Sequence, residues 1–273
     1  MVGIVIVSYH NAEMTARFVR KELPKLTVPY TLVVVNNDST PEECRSLAER
    51  CGVPEEYVLC SKENLGYACG NNMGVKYLKE LCDCSYYLFT NDDVEIKSGD
   101  ILDVLCKKLD SMPNIAGIGP RVIGLDGKDQ SPHDKYISPY RKMGWKIFGF
   151  MRRKKDALDS TWRVPVEQIA RLTYWVQGSF MLVKAVDFDM VDGFDSETFL
   201  YYEEPILAER FKMIGKGFFY EPSVEIVHYE GGSSKKISKK LKTINKASAL
   251  LYYKKYKKIN NVILWLYRLI CED

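Results

Sequence analysis

The sequence has no uninterrupted apolar run of the roughly 18–20 residues that a membrane-spanning helix requires, so we expect that the chain does not cross a bilayer. No basic segment precedes the apolar run at its N-terminus and no cleavage-site pattern follows it, which disfavours a secretory signal. The eight cysteines lack the paired spacing of a metal site, and the close pair Cys82 and Cys84 has the spacing C-x-C rather than C-x-x-C. Free thiols in a reducing cytosol are therefore expected.

Two phosphate-binding patterns are also missing. No dinucleotide fingerprint G-x-G-x-x-G follows the first strand-like run, and the sequence contains no Walker-type G-x-x-x-x-G-K. A glycine-rich loop is therefore not expected to hold phosphate. With 273 residues, 46% hydrophobic and 27% charged, the chain can bury a core, and this composition excludes disorder, collagen and coiled coil.

The net charge of +3 hides an uneven distribution. Ten lysines and Arg268 occur between Gly231 and Ile270 without any acid, and once this +11 and the −2 of the last two residues are set aside, residues 1–230 carry −6. An acidic body with a basic C-terminal segment indicates contact with an anionic surface, either a membrane or a nucleic acid. No nucleic-acid reading motif is present, which favours the membrane.

The basic segment also has an amphipathic pattern. Its lysines are interleaved with Tyr252, Tyr253 and Tyr256 and precede the apolar run VILWLYRLI, a pattern typical of a helix that lies on an anionic leaflet. The run Met143–Lys155 has the same mixture of basic and apolar residues. An ordinary docked C-terminal helix and a dimer interface explain the pattern equally well and remain open.

Strand-like and helix-like segments alternate over the first part of the chain. Apolar runs predict strands at Gly3–Ser8, Thr31–Asp38 and Tyr86–Asp93, with helices between them at Ala12–Leu23, Pro41–Cys51 and Ala68–Leu81. Ser39 or Thr40 is the expected N-cap of the second helix, with Pro41 at its first position. This βαβ order predicts an α/β sheet whose sites lie at the carboxyl ends of its strands.

The rest of the chain is less regular. The stretch from about Gly124 to Ala170 loses the alternation and is interpreted as a long excursion or lid. Further on, the pattern predicts a strand at Thr173–Val183, a helix at Glu203–Ile214, two short strands at Phe218–Tyr220 and Val224–His228, and helical structure in the lysine-rich remainder.

Short polar side chains follow each of the three early strands. They are Ser8 with Asn11, then Asn36 with Asn37 and Asp38, and finally Asn91 with Asp92 and Asp93. Any one of these clusters is explained by turns and caps, but their convergence on one sheet edge favours a ligand crevice. Asp92 and Asp93 offer the hard oxygen ligands that Mg²⁺ or Mn²⁺ prefers, with a diphosphate completing the shell.

Seven segments together resemble one known family. VSYHN, VVVNNDS, ENLGYACGNNMG, FTNDDVEI, WVQGSFMLV, GFDSETFLYYEEPILAERF and VHYEGG follow the order and spacing found in family-two glycosyltransferases. From Val2 to about Ser234 the chain is similar to this family, and most similar to its bacterial rhamnosyltransferase-like branch. The resemblance implies the GT-A fold, with a Rossmann-like, mostly parallel central sheet flanked by helices and, here, a basic helical C-terminal tail.

The resemblance also implies a division of the chain. Residues 1–232 would form the glycosyltransferase domain, with a nucleotide-sugar-binding half at 1–123, the lid at 124–172 and an acceptor and catalytic-base half at 173–232. Residues 233–273 would form the basic amphipathic C-terminal helices.

For the donor side, the resemblance places a D-x-D-like metal motif on Asn91-Asp92-Asp93. Asp93 would be the principal ligand of a Mg²⁺ or Mn²⁺ that bridges the two phosphates of a nucleotide-sugar, and His228 would reach the same metal or the diphosphate. The residues expected to bind the donor are Ser8, Asn11, Asn36, Asp38, Asn64, Gly66, Asn71, Asp92, Gly178 and Ser179. Asn36 stands where many relatives carry Asp, which makes a contact to the base or ribose neutral.

For the acceptor side, the family's catalytic base falls on Glu204, with Glu203 as the second candidate. Glu replaces the usual Asp at this position, and Pro205-Ile206 stands where relatives often carry a further acid. Acids in the first turn of a helix also interact favourably with the helix dipole, which gives both residues a structural explanation. Asp195 is a further candidate for hydrogen bonds to a sugar.

The implied activity is inverting transfer of a hexosyl or deoxyhexosyl group from a UDP-, dTDP- or GDP-sugar. The acceptor would be a glycan or a polyprenyl-diphosphate-linked saccharide in bacterial surface polysaccharide synthesis. A cytoplasmic location with peripheral contact to the inner face of the plasma membrane would follow, and a homodimer is a further expectation.

The departures at Asn36, Glu204 and Pro205 leave a catalytically silent nucleotide-sugar-binding or glycan-binding subunit as an alternative. A processive synthase is excluded, because the string from Gln168 to Leu172 has the wrong last residue for Q-x-x-R-W and precedes Glu204.

Overall fold

The computed structural model describes residues 1–136, 138–148, 168–229 and 239–271. Its strands are β1 Val2–Tyr9, β2 Tyr30–Asn37, β3 Val58–Cys60, β4 Tyr86–Thr90, β5 Val94–Ile96, β6 Ile115–Gly124, β7 Arg171–Thr173, β8 Phe180–Lys184 and β9 Gly217–His228. Its α-helices are α1 Ala12–Lys21, α2 Pro41–Cys51, α3 Gly66–Leu81, α4 Ile101–Asp110, α5 Pro139–Phe148, α6 Ala185–Met190, α7 Glu203–Met213, α8 Lys239–Leu251 and α9 Asn261–Ile270.

The strands form one mixed sheet in the order β3-β2-β1-β4-β8-β6-β9-β5, with β7 joined to β9. The expected parallel arrangement is confirmed for β3, β2, β1 and β4, and β9 is also parallel to β6. β8 enters between β4 and β6 antiparallel to both. The carboxyl end of β4 therefore meets the amino end of β8, and residues more than eighty positions apart share one sheet edge.

Local sequence signals explain where α2 begins and ends. The Thr40 hydroxyl accepts a hydrogen bond from the Glu43 N–H, and the Glu43 carboxylate accepts one from the Thr40 N–H, which completes a capping box. Pro41 occupies the first helical position, and Gly52 closes the helix in the left-handed conformation with φ of 71°. The predicted bounds of this helix are confirmed.

The two faces of the sheet bury separate cores. On β1, Ile4 and Ile6 point to the core under α1, α2 and α4, whereas Val5 points to the core under α3. α3 approaches the sheet closely at Gly74, where an added Cβ would lie 2.4 Å from the Val5 side chain. This close approach explains one glycine of the ENLGYACGNNMG segment.

A third core joins the C-terminal helices to the start of α7. Tyr252 and Tyr253 are fully buried in a π-helical turn after α8, and they pack with Tyr202 and with Tyr267 of α9. The expectation that these interleaved tyrosines face a leaflet is therefore wrong for Tyr252 and Tyr253. Their rings are required for the hydrophobic contact that attaches the C-terminal helices.

Ion pairs reinforce this attachment. Lys255 Nζ lies 2.8 Å from Asp195 Oδ2, and the Tyr256 hydroxyl donates to the same carboxylate at 2.5 Å. Asp195 is 2% exposed, and although burial opposes ionisation, the hydrogen bonds from Lys255 and Tyr256 outweigh it and lower the carboxyl pKa. Lys257 Nζ lies 3.3 Å from Glu209 on α7. Part of the basic segment therefore neutralises Asp195 and Glu209.

Other expectations need correction. The two short strands expected at Phe218–Tyr220 and Val224–His228 are one strand, β9. A register shift opposite Pro120 and Arg121 accommodates the residues around Pro222, where the strand pattern of the sequence is interrupted. The strand expected at Thr173–Val183 is divided into β7 and β8 by residues 174–179. The expectation of free thiols is wrong for Cys44 and Cys60, which form a disulfide between α2 and β3. The helix packs beside that strand and brings their Cα atoms to 6.0 Å.

The stretch interpreted as a lid is only partly described. It contains the helix α5, while residues 149–167 lie outside the described residues. In the described parts of the chain, no helix is both long and apolar enough to span a membrane.

We predict that Lys255→Met lowers the free energy of unfolding by about 1–3 kcal/mol, because it removes a charged hydrogen-bond donor from the buried Asp195 carboxylate. The measurement is the urea midpoint and slope at neutral pH. Because the pKa of Asp195 is lowered in the folded state, its contribution is present above the ordinary Asp pKa and is lost as pH falls through the lowered value.

The matched control is Lys254→Met, which removes the exposed neighbouring lysine. Equal midpoints for the two variants would contradict a specific role for Lys255.

Candidate active site

The junction between β4 and β8 brings together residues that follow one strand and precede the other. The Ser179 carbonyl accepts hydrogen bonds from the Asn91 N–H and the Thr90 hydroxyl, each at 3.1 Å. The Ser179 hydroxyl is buried and has no hydrogen-bond partner in the described part of the chain. A buried hydroxyl with unused hydrogen-bonding capacity beside Asn91 is consistent with a ligand-binding position.

Asp92 is connected to the first strand through Thr15. The Thr15 hydroxyl lies 2.6 Å from Asp92 Oδ2 and 2.7 Å from the Ser8 hydroxyl, so the three side chains form a continuous hydrogen-bonded chain. Burial raises the pKa of the Asp92 carboxyl to about 6, the hydrogen bond from Thr15 opposes this rise, and the charge of Asp93 adds to it. The predicted donor-side residues Ser8 and Asp92 are therefore linked in the structure.

Asp93 and His228 lie against each other because β5 pairs with the end of β9. His228 Nε2 is 3.1 Å from Asp93 Oδ1 and 3.3 Å from Asn91 Nδ2. On the other side of the ring, His228 Nδ1 is 2.7 Å from Gln130 Oε1. When Nδ1 donates its proton to Gln130, Nε2 is left to accept from the Asn91 amide, and this is the tautomer that a metal-binding histidine requires.

A divalent cation fits this pair when substrate oxygens complete its shell. Among the described residues, no group of three or more His, Cys, Asp or Glu is arranged to hold a metal. Asp93 and His228 nevertheless present one carboxylate and one imidazole with their nearest atoms 3.1 Å apart. Mg²⁺ is commonly bound by one or two carboxylates together with waters and substrate phosphates, so this small donor set is compatible with it.

Glu204 is positioned by the residue before Ser179. The Gly178 N–H donates to Glu204 Oε1 at 3.0 Å, and the Tyr67 hydroxyl donates to the Gly178 carbonyl at 2.9 Å. A Cβ at residue 178 would lie 2.5 Å from Glu204 Oε1, so a larger residue there would displace this carboxylate. Burial raises the pKa of Glu204, although backbone N–H groups including that of Gly178 oppose the rise.

Glu203 differs from Glu204 in its surroundings. It is 4% exposed, and its Oε1 has no hydrogen-bond partner in the described part of the chain. Burial, together with the charge of Glu204, raises the Glu203 pKa well above its usual range. The two residues before α7, Tyr201 and Tyr202, both have φ of 72°, an unusual left-handed conformation that turns the chain into this acidic pair.

The ends of β1 and β2 carry further predicted donor-pocket residues. Ser8 and Asn36 are opposite each other in the parallel register. The Asn36 amide lies 3.7 Å from Cys44 Sγ, and Asp38 Oδ2 lies 3.2 Å from His10 Nε2 across the strand ends. Asn36 is buried and Asp38 is exposed, so the two positions have different access to a ligand.

The remaining predicted residues lie just before or within helices α1 and α3. Asn11 precedes α1, and its side chain makes no capping hydrogen bond there. Asn64 Oδ1 accepts from the Gly66 N–H at 2.9 Å, which fixes the start of α3. Asn71 lies within α3, is 2% exposed and donates to the Tyr67 carbonyl. The structure thus places Asn64 and Gly66 beside the end of β2 and gives Asn71 a contact inside the helix.

Sequence reasoning missed three residues that hold the predicted ones in place. They are Thr15, which binds Asp92; Gln130, which binds His228; and Tyr67, which binds Gly178. Thr15 lies one helical turn after Asn11, so helical periodicity could have indicated it. Gln130 belongs to the irregular stretch after β6, and its sequence pattern contains no signal for this contact.

Two other candidates have different outcomes. Asp195 is held by Lys255 and Tyr256 inside the fold, which gives it a structural role, and its hydrogen bonds to a sugar stay a prediction. Gly231 and Gly232, which end the VHYEGG segment after His228, lie outside the described residues.

We predict that Glu203→Gln makes the protein more stable at neutral and alkaline pH. A carboxyl with a raised pKa binds its proton more tightly in the folded state, so the free energy of unfolding falls as pH rises from the ordinary Glu value of about 4.3 toward the raised value. Glu203→Gln lacks this fall in the free energy of unfolding, which reaches up to about 1.4 kcal/mol for each pH unit. Urea unfolding across this pH range measures the difference.

Glu209→Gln on the same helix is the matched control with the opposite sign. Burial opposes ionisation of Glu209, but hydrogen bonds from Tyr174 and Lys212 outweigh it and lower its pKa. This variant should therefore be less stable than the wild type above the ordinary Glu pKa. A stability difference for Glu203→Gln that does not change with pH would contradict a raised pKa for the Glu203 carboxyl.

Comparisons with known proteins give a consistent result. No protein-family model matches the chain. The rhamnosyltransferase WbbL of Escherichia coli is 28% identical over 237 residues, which cover 84% of this chain and 83% of that protein. The N-acetylglucosaminyl-diphospho-decaprenol L-rhamnosyltransferase of Mycobacterium tuberculosis is 24% identical over 238 residues, covering 85% of this chain and 76% of that protein.

Among solved structures, the mannosyltransferase PcManGT from Pyrobaculum calidifontis in complex with GDP-Man and Mn²⁺ superposes with a TM-score of 0.59. The match covers 98% of this chain and 69% of that one at 14% sequence identity, which is evidence for the fold alone. The chain therefore has the GT-A fold, and its resemblance to the rhamnosyltransferase-like branch of the family-two glycosyltransferases is confirmed.

Proposed function

We propose that the protein is an inverting, metal-dependent glycosyltransferase that moves a sugar from a nucleoside diphosphate to a hydroxyl of a glycan acceptor. The observation that carries the proposal is the junction at Gly178 and Ser179. Gly178 binds Glu204, while the adjacent Ser179 binds the segment that leads to Asp93. Consecutive residues thus connect the half-buried Glu204 carboxylate on one side of the site to the acidic strand end on the other.

On the donor side, Asp93 and His228 would hold Mg²⁺ or Mn²⁺. The cation, when bound, neutralises negative charge that develops on the departing diphosphate. Gln130 and Asn91 fix the orientation of the His228 ring, and Thr15 fixes Asp92. These contacts orient the donor-side groups before the nucleotide arrives.

On the acceptor side, Glu204 would act as the general base. Its carboxylate takes the proton of an acceptor hydroxyl while that oxygen forms a bond to the anomeric carbon, and the bond from this carbon to the diphosphate breaks with its electron pair leaving on the diphosphate. One displacement on the opposite face inverts the anomeric centre. A carboxylate whose pKa is raised by burial is a stronger base once it is ionised.

The relatives support a lipid-linked acceptor. The mycobacterial protein is named for transfer of L-rhamnose to N-acetylglucosaminyl-diphospho-decaprenol, a saccharide on a polyprenyl diphosphate. We extend this acceptor class to the present chain, with a UDP-, dTDP- or GDP-sugar as donor and surface polysaccharide synthesis as the setting. We further propose that the enzyme works at the cytoplasmic surface of the membrane that carries this acceptor.

We predict that Glu204→Gln lowers transfer by at least about 100-fold while donor affinity is unchanged, because the amide oxygen still accepts the Gly178 hydrogen bond but cannot take a proton. Release of nucleoside diphosphate from a panel of UDP-, dTDP- and GDP-sugars with Mn²⁺ measures transfer. The rate of the wild type should fall as pH decreases through the raised Glu204 pKa, so the acidic limb lies above the ordinary Glu value of about 4.3.

Glu204→Asp keeps the carboxylate and shortens its reach, so it should retain part of the activity and the acidic limb. Full transfer by Glu204→Gln would eliminate the proposed base. Donor binding without turnover in the wild type would favour the silent binding subunit.

We predict that Asp93→Asn abolishes the gain in donor affinity that Mn²⁺ provides. Calorimetric titration of the donor with Mn²⁺ and with a chelator measures this gain, since removal of a carboxylate ligand weakens a cation held by few protein groups. Asp83→Asn is the matched control, because Asp83 is exposed and precedes β4, at the opposite end of that strand. A Mn²⁺-dependent gain that persists in Asp93→Asn would rule out Asp93 as the ligand.

A further inference from the structure

Two helices outside the active site expose large apolar side chains although they pack against each other. α5 exposes Tyr140, Ile147 and Phe148, and α9 exposes Val262, Trp265 and Leu269. We call these six side chains the α5–α9 face. Phe148 is 59% exposed and Trp265 is 58% exposed, which is unusual for aromatic side chains of a folded protein.

The pattern along α9 separates an inner stripe from an outer one. Leu264 and Tyr267 are buried in the third core, whereas Val262, Trp265 and Leu269 follow each other at spacings of three and four residues on the exposed side. The outer stripe is therefore not a remnant of core packing. A second apolar stripe on a docked helix needs a separate contact to be shielded from water.

The charge around the face has one sign. Arg268 lies exposed in the outer stripe of α9, and Arg141 of α5 is exposed with its guanidinium 4.6 Å from the Trp145 ring centroid. Exposed lysines begin α8 at Lys239, Lys240 and Lys242. Neither α5 nor the stretch 239–271 contains an acid. A second copy of this chain would bring two cationic faces together, so charge disfavours it as the occupant.

The cations on the inner side of the C-terminal segment differ from those beside the α5–α9 face in their partners. Lys255 and Lys257 are paired with Asp195 and Glu209 of the acceptor half. The inner cations thus have anionic partners in the fold, whereas Arg141 and Arg268 are exposed on the same helices as the apolar side chains of the face. Aromatic and aliphatic groups bordered by Arg and Lys are the combination that inserts at the headgroup boundary of an anionic leaflet.

The geometry points to the α5–α9 face as a docking surface for an anionic lipid leaflet. The same helical unit packs against Tyr202, which directly precedes Glu203 and Glu204. The helical unit that would dock is therefore the one that packs against Tyr202, two residues before the proposed base. This inference specifies the surface that would meet a lipid-linked acceptor, and its test by vesicle binding does not require the proposed transfer reaction.

The experiment is co-sedimentation of the full chain with vesicles of phosphatidylglycerol mixed with phosphatidylcholine, and with vesicles of phosphatidylcholine alone. We expect binding to the anionic vesicles that weakens with added salt. The double variant Trp265→Ser, Leu269→Ser should bind at least about tenfold more weakly. Arg268→Glu should bind about tenfold more weakly, because it reverses a charge near the leaflet.

Matched controls change the same residue types elsewhere. Met213→Ser and Leu172→Ser remove exposed apolar side chains outside the face, and Lys107→Glu reverses an exposed charge on α4. These variants should bind as the wild type does. Trp265→Phe should keep binding but lose the blue shift of tryptophan emission that vesicles produce, which shows whether this side chain itself enters the lipid.

Equal binding of the face variants and their controls would overturn the inference, and so would equal binding to phosphatidylcholine alone or no vesicle binding at all. A dimer in sedimentation velocity that Trp265→Ser dissociates, without vesicle binding, would identify a second copy as the occupant and also overturn it. Glu204→Gln should bind vesicles normally, so loss of transfer and loss of docking are distinguishable.

Discussion

The structure depends on a pair of hydrogen bonds made by the backbone of two consecutive residues before β8. Gly178 donates to Glu204, and the carbonyl of Ser179 accepts from Asn91. β8 is antiparallel to β4, so only this arrangement brings the start of one strand to the end of the other. The absence of a side chain at residue 178 leaves room for this contact, because a Cβ would displace the carboxylate that the peptide orients.

The base side of the site also depends on residues far away in the sequence. Tyr201 and Tyr202 adopt left-handed conformations that cost of order 1–3 kcal/mol each in a non-glycine residue. The Tyr202 ring packs against Tyr252 and Tyr253, and Lys142 donates to its hydroxyl at 2.6 Å. The tyrosine-rich third core therefore offsets the strain that directs α7 toward Gly178. The C-terminal helices therefore support the candidate site, and α9 also forms part of the α5–α9 face.

Local patterns allowed the first half of the fold to be predicted, and distant contacts explain what was missed. The bounds of α2 follow from Thr40, Pro41 and Gly52, which act within one turn of the helix ends. Hydrophobic runs likewise identified β1 and β2. By contrast, the contacts of Asp92 with Thr15 and of His228 with Gln130 join residues 77 and 98 positions apart, and no local period encodes such pairs.

The basic segment shows why composition alone could not assign its role. Its lysines are equivalent in a charge count, yet Lys255 contacts the buried Asp195 while Lys254 beside it faces solvent. The π-helical turn at Tyr252–Tyr256 sets which of these neighbours points inward, because it changes the angular spacing of successive side chains. A regular amphipathic helix predicted from the sequence has a single apolar face. In the structure, α9 has one apolar face that is buried and a second apolar face that is exposed. The division of the cations between those that pair with Asp195 and Glu209 and those on the outer surface is therefore a property of helix geometry, which net charge does not contain.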